Sequence, residues 1–124
     1  MLELSEANIT RLLEADREEL LREIGASTGK FAGPTDLVAR GREIYENIRS
    51  KLRDKICRSP TVFRIWSENQ TETKHLVIAA ITDCIAGFIL GLSPATVAVL
   101  LYKDGLPDFC KAEWTAHFDY HPTN

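Results

Sequence analysis

The chain has 124 residues, enough for one domain but too few for two halves that each bury a useful core. Apolar residues make up 44% and charged residues 27%, which is close to the globular average and argues against wholesale disorder. The net charge of -3 excludes a polybasic nucleic-acid binder and an acidic tail protein. From the length, and from the helical patterns described below, we expect a single α-helical domain over 1–124.

The first predicted helix begins behind Ser5, whose side chain is a good N-cap. Apolar residues then recur at helical spacing as far as Ile24, and Gly25 stands where a C′ glycine would end the helix. The pattern predicts one continuous helix over 5–24, followed by a loop over 25–34.

The second predicted helix, from about residue 35 to 56, has an apolar stripe on one side and an excess of basic residues on the other. Arg42, Arg49 and Arg53 are the candidate binding residues of this side, for phosphate, an acidic lipid surface or an acidic partner. The favoured interpretation is a solvated helix face, because Glu46 lies one turn from both Arg42 and Arg49.

Ser59-Pro60 is a typical helix start, since proline is tolerated at the first helical position. We expect a short helix that carries apolar residues through Trp66. The polar stretch 67–73 is predicted to be a loop.

The stretch 76–102 carries a single formal charge and is apolar enough to suggest a membrane span by hydropathy. Gly91 and Ser93-Pro94 interrupt it with a helix stop followed by a helix start. The result is two predicted helices, 74–90 and 94–103, each shorter than the roughly 20 residues that cross a bilayer. A buried hairpin at the centre of a soluble bundle is favoured, and a membrane-inserted hairpin is the alternative.

Asp83 is the single charge in that stretch. A carboxylate in an apolar helix is costly unless it is paired, so we expect a buried or half-buried ion pair, or a functional carboxylate. His75 lies two turns away and does not by itself form an acid/base pair with it.

The string LGLSPATVAVLL over 90–101 resembles the turn and second helix of a helix-turn-helix. The resemblance implies a recognition helix that starts near Thr96. Such a helix presents polar side chains to base edges, and here Thr96 and Lys103 are the candidate readers. Nucleic-acid binding is therefore the third interpretation of function.

Gly105 is predicted to end the preceding helix, and a final helix opens around Pro107. Residues of zinc-ligand type follow one face of that final helix at steps of three and four: Cys110, Glu113, His117 and His121. A single straight helix spreads four ligands too far along its axis for a tetrahedral site. We therefore predict no metal and no cofactor.

Cys57, Cys84 and Cys110 are widely spaced, with no CxxC motif. An odd number without a framework predicts reduced cysteines that serve as small apolar residues in a reducing compartment. The acidic first residues do not resemble an export signal. The expected location is the cytoplasm, or the cytosolic face of a membrane.

Together these patterns predict an all-α fold, a compact single-domain bundle of five or six helices around an apolar central hairpin over 74–103. No nucleophile with a base and no convergent carboxylates are visible, so an enzyme is not expected. We expect a non-enzymatic protein-interaction module, a small adaptor or an accessory or regulatory subunit, that binds a partner protein or a second copy of itself. No small-molecule substrate is indicated. The alternatives are a membrane-associated protein that inserts 76–102 and a helix-turn-helix nucleic-acid binder.

Overall fold

The computed structural model describes residues 5–27, 33–68, 74–89 and 91–120. Over these ranges the chain forms six helices and no strand, which confirms the predicted all-α bundle. The helices are α1 (Glu6–Glu14), α2 (Arg17–Ala26), α3 (Pro34–Cys57), α4 (Pro60–Glu68), α5 (Lys74–Ile85) and α6 (Pro94–His117).

The predicted helix starts are confirmed at three serines. The hydroxyls of Ser5, Ser59 and Ser93 each accept a hydrogen bond from the backbone N–H three residues further on, at 3.1, 3.2 and 3.2 Å. Each bond satisfies one of the backbone donors that a helix leaves unpaired at its first turn.

The prediction of one continuous first helix is wrong, because the structure has two helices over this range, α1 and α2. The chain becomes extended at Ala15, and the carboxylate of Asp16 caps α2 by accepting from the backbone N–H of Glu19 at 2.8 Å. The ammonium of Lys103 donates to the carbonyl oxygen of Ala15 at 2.6 Å and so satisfies a backbone group at the break. Apolar periodicity continues across the break, since both helices face the same core.

Gly25 lies inside α2 and not beyond its end, which corrects its predicted role as a C′ residue. It sits where α2 crosses α3, with Gly41 opposite. A Cβ atom at Gly25 would overlap the carbonyl oxygen of Leu37, and one at Gly41 would overlap that of Leu21. The two glycines are therefore what allows the backbones of α2 and α3 to touch.

The predicted central hairpin is confirmed, although α5 ends at Ile85 and not near residue 90. The inward side chains of α5 are fully covered, and every residue from Ala95 to Leu101 in α6 is at most 1% exposed. Because α6 contacts α1, α2, α3 and α5, its first half forms the centre of the bundle. Gly91, at φ 82°, makes the turn between the two helices.

Helix α6 changes direction at Gly105, where φ is 104° and ψ is 91°. Pro107 follows, and its missing N–H suits a position where the hydrogen-bond ladder is already broken. The predicted boundary between two helices is thus present as a sharp kink. The part beyond the kink packs Phe109 and Trp114 into the core.

The cysteine prediction is wrong for two of the three residues. Cys57, the last residue of α3, and Cys110 in α6 form a fully buried disulfide, with their Cα atoms 5.1 Å apart. Cys84 is a free, half-buried thiol. A separation of 53 residues carries no local signal of pairing, which arises only when α6 folds back on α3. Since disulfides persist mainly in oxidising compartments, the predicted cytoplasmic location loses its support from the cysteines.

Among the described helices, none combines the length and apolar character needed to cross a bilayer. The stretch 76–102 is divided by the turn between α5 and α6. Its second half is enclosed by the protein itself.

Candidate interaction surface

One side of α5 and of the turn that follows it faces solvent although it is largely apolar. Leu76 is 58% exposed and Phe88 57% exposed, and these are the exposed large apolar side chains of the described ranges. Small residues lie between them along the same side: Ala79 and Ala80 are half-buried, with Ala80 also contacting the core, and Gly87 is exposed. We define the α5 face as Leu76, Ala79, Ala80, Asp83, Gly87 and Phe88.

The α5 face follows from helical spacing. Leu76, Ala80 and Asp83 recur at steps of four and three, so they form one stripe. The opposite side of the helix is fully buried through Val77, Ile78, Ile81 and Ile85, and α5 contacts α1, α3, α4 and α6. Apolar or small residues occupy most positions around the helix, yet the side that carries Leu76 and Asp83 is exposed.

Asp83 lies near the middle of the α5 face and is exposed. Its carboxylate makes no hydrogen bond or ion pair with any residue in the described part of the chain. The expected buried or half-buried ion pair is therefore wrong. The apolar neighbours that suggested burial are accounted for by the opposite side of the helix and by the uncovered face itself.

A lysine flanks the α5 face at its Phe88 end. The ammonium nitrogen of Lys55, an exposed residue of α3, lies 4.0 Å from the centre of the Phe88 ring. This cation–π contact holds the exposed ring against α3. The α5 face therefore has a negative charge near its middle and a positive charge at one end.

The three basic candidates on α3 are not equivalent. The guanidinium groups of Arg49 and Arg53 lie 5.2 and 4.9 Å from the centre of the Phe109 ring, and both residues are half-buried. Arg53 also donates to the carbonyl oxygen of Phe109 at 3.3 Å. Arg42 is exposed. Two of the three candidates thus pack α3 against α6, and the predicted pairs with Glu46 do not form within 4 Å over the described ranges.

The residues of zinc-ligand type on α6 are engaged in other contacts. Cys110 is in the disulfide, and Glu113 accepts a hydrogen bond from Arg58 at 2.9 Å. That bond lowers the pKa of the Glu113 carboxyl. His117 lies 3.6 Å from the same carboxylate, while His121 falls outside the described residues. Within the part of the chain that the structure describes, no cluster of three or more metal-ligating side chains is present.

A charged network that the sequence did not predict joins three helices near the kink in α6. Arg17 donates to both carboxylate oxygens of Asp104, at 3.0 and 3.2 Å, and the hydroxyl of Tyr45 donates to the same carboxylate at 2.8 Å. Burial alone would raise the pKa of Asp104, but the bonds from Arg17 and Tyr45 outweigh it and hold the pKa below its usual value. Burial and the bond to Asp104 raise the pKa of the Tyr45 phenol far above its usual value.

The two candidate base readers are not free to enter a groove of DNA. Thr96 is 1% exposed, and its hydroxyl donates to that of Ser93 at 2.9 Å. Lys103 is held at the carbonyl oxygen of Ala15. A recognition helix must lie on the surface, whereas the first half of α6 is the centre of the bundle.

Aromatic side chains join α4 to the end of α6. Trp114 is fully buried and contacts the rings of Phe63 and Trp66, with centroids 5.1 and 4.7 Å away. Phe118 stacks on Phe63 at 4.8 Å, and Tyr120 meets Trp114 edge-on at 5.3 Å. These aromatic residues therefore contribute to the core, in contrast to Phe88.

Compared with known proteins, the chain matches no family model, no curated protein and no solved structure.

Proposed function

We propose that this chain is a non-enzymatic protein-interaction module, a small adaptor or an accessory subunit, and that it binds a helix of a partner protein on the α5 face. The observation that carries the proposal is the exposure of Leu76 and Phe88, at 58% and 57%, on an otherwise apolar helix. The two side chains lie twelve positions apart, at opposite ends of the α5 face, and small residues lie between them. A continuous apolar surface of this kind is typical of binding surfaces.

A helix is the occupant that suits the shape of the α5 face. Ala79, Ala80 and Gly87 lie between the two large apolar side chains, and small residues let a second helix approach closely. Leu76 and Phe88 then offer anchors at either end. Recognition of an amphipathic helix by a matching apolar surface is a common binding mode.

The environments of the other charged groups also favour binding over catalysis. Asp104 is saturated by Arg17 and Tyr45, and Glu113 is held by Arg58. Such groups stabilise helix packing and are not poised to exchange protons with a substrate. On the α5 face the charged side chain is Asp83, which is exposed and has no hydrogen-bond or ion-pair partner among the described residues.

A photoreactive phenylalanine analogue placed at Leu76 tests the proposal in cells that express the protein. We expect a discrete cross-linked product in which the linked peptide of the partner is helical and apolar. The matched control places the same analogue at Asn47, an exposed residue of α3, and should give no such product.

A second pair of variants ties the product to the α5 face. Ala80→Arg puts a bulky charge in the middle of that face and should abolish the cross-link from position 76. Ala112→Arg changes an exposed residue of α6 and should leave it intact. Equal products from positions 76 and 47, or a product that survives Ala80→Arg, would contradict the proposal.

A further inference from the structure

We infer that the partner helix carries a lysine or arginine opposite Asp83, and that a second copy of this chain is not the occupant of the α5 face. The inference rests on the proposed function and specifies the chemistry of the partner.

The carboxylate of Asp83 is exposed and has no hydrogen-bond or ion-pair partner in the described part of the chain. A helix that covers the α5 face would remove water from this charge. Desolvation of a carboxylate is costly unless a donor replaces the lost water. A guanidinium or ammonium group on the incoming helix supplies that donor and also neutralises the charge.

A second copy cannot supply a basic group there if it covers the whole face. The face extends from Leu76 to Phe88, so its middle is near residue 82. In an antiparallel pair about a two-fold axis at that point, the two Asp83 residues lie about 3 Å apart along the helix axis. In a parallel pair they lie directly opposite each other. Both arrangements bring two carboxylates together, which disfavours association.

Lys55 adds a positive charge at the Phe88 end of the α5 face. Because the ammonium of Lys55 lies over the Phe88 ring, the partner helix meets a positive charge there and a negative charge at Asp83. A complementary helix has a basic residue at its centre and tolerates an acidic one toward the Phe88 end. Opposite charges placed in this way fix the register of two apolar helices that could otherwise slide.

A displayed library of helical peptides tests the inference on the full-length protein. The peptides are about 18 residues long, above the roughly 12–15 residues below which an isolated helix is marginal, and are randomised along one face. Selections are made in parallel against the wild-type protein and Asp83→Lys. We expect Lys or Arg to be enriched at one central position with the wild type, and Asp or Glu at that position with Asp83→Lys.

The affinities of selected synthetic peptides give the quantitative readout. A peptide selected on the wild type should bind Asp83→Lys about tenfold more weakly, as expected when an attractive charge pair becomes repulsive. Leu76→Lys should weaken binding of both sets of peptides, since it removes an apolar anchor. Binding that needs Leu76 but shows no charge preference overturns the inference and leaves the proposed function standing. Peptides that bind independently of Leu76 overturn both.

The oligomeric state and lipid binding provide two further outcomes. We expect light scattering to give a monomer for the wild type, whereas Asp83→Asn, which removes the repulsion, should begin to associate at high concentration. A wild-type dimer that Leu76→Lys dissociates would overturn the inference, because the second copy would then be the occupant. Tight binding of the wild type to anionic phospholipid vesicles, lost in Leu76→Lys, would overturn it in favour of a membrane surface.

Discussion

Two aspartates have opposite environments in this protein. Asp104 lies at the kink in α6 and receives three hydrogen bonds, two from Arg17 and one from Tyr45. Asp83 receives none from the described residues. The sequence drew attention to Asp83, because it is the one charge in an apolar stretch. Asp104 follows Lys103 just beyond that apolar stretch, and its partner Arg17 is 87 residues away, so no local pattern revealed the pair.

Asp104→Asn should destabilise the fold. The asparagine amide has the size of the carboxylate, but it is neutral and has one oxygen, not two, to accept the hydrogen bonds from Arg17. We therefore expect a loss of about 1–3 kcal/mol in the free energy of unfolding. Asp83→Asn is the matched control and should change that free energy by less than about 0.5 kcal/mol. Urea unfolding followed by circular dichroism measures both. Equal losses in the two variants would contradict the assigned roles.

The stability difference between the wild type and Asp104→Asn should depend on pH. The pKa of Asp104 is lower in the folded protein than in the unfolded chain, so its ionisation stabilises the fold above the unfolded value, near pH 4. As the pH falls through the lower folded pKa, this contribution is lost. The free energies of unfolding of the two proteins, measured from pH 7 to pH 2, should therefore approach each other as the pH falls. A constant difference down to pH 2 would indicate that the charge of Asp104 is irrelevant.

The predictions for whole helices succeeded where the signals were local. Ser93 and Gly91 marked the turn between α5 and α6 in the sequence, and the structure has that turn. The break at Ala15 was missed because it is stabilised from a distance by Lys103. The close crossing of α2 and α3 was missed for a similar reason, since a glycine in a helix looks like a stop until its neighbour is known.

Gly41→Ala tests that crossing. Alanine favours a helix over glycine by about 1 kcal/mol, yet its Cβ would overlap the backbone of Leu21, so the helices must separate. We expect a net loss of about 1–3 kcal/mol in the free energy of unfolding, as in other overpacked sites. Gly87→Ala is the control, because nothing lies within 4 Å of a Cβ placed there. A lower melting temperature for Gly87→Ala than for Gly41→Ala would refute the close crossing of α2 and α3 at Gly41.

At the scale of the whole molecule, the Cys57–Cys110 disulfide bears on the stability of the bundle, and the α5 face bears on what it binds. The sequence predicted the fold class and the central hairpin from hydropathy and helix starts. It could not predict the Cys57–Cys110 disulfide, which depends on the tertiary approach of α3 and α6. Nor could it identify which side of α5 is covered, because apolar or small residues occupy most positions around the helix.

The disulfide should contribute substantially to stability. It closes a loop of 53 residues, for which chain entropy alone gives about 4 kcal/mol. The double variant Cys57→Ser/Cys110→Ser should therefore lose about 2–4 kcal/mol in the free energy of unfolding. The wild type treated with a reductant under unfolding conditions should behave like the variant. Cys84→Ser leaves the disulfide intact and serves as the control; a loss as large in this variant would contradict the role of the disulfide.

The central claim is that a partner protein covers the α5 face in the cell. The most direct measurement is the rate at which a thiol-reactive probe labels Ala80→Cys, in a Cys84→Ser background, inside the expressing cells and in the purified protein. The labelling rate of Asn47→Cys, at an exposed position on α3, measures how much the cellular conditions alone change the reaction. We expect Ala80→Cys to react about tenfold more slowly in cells than when purified, and Asn47→Cys to react equally in both. Equal rates for Ala80→Cys in the two conditions would mean that nothing covers the α5 face, and the account would be wrong.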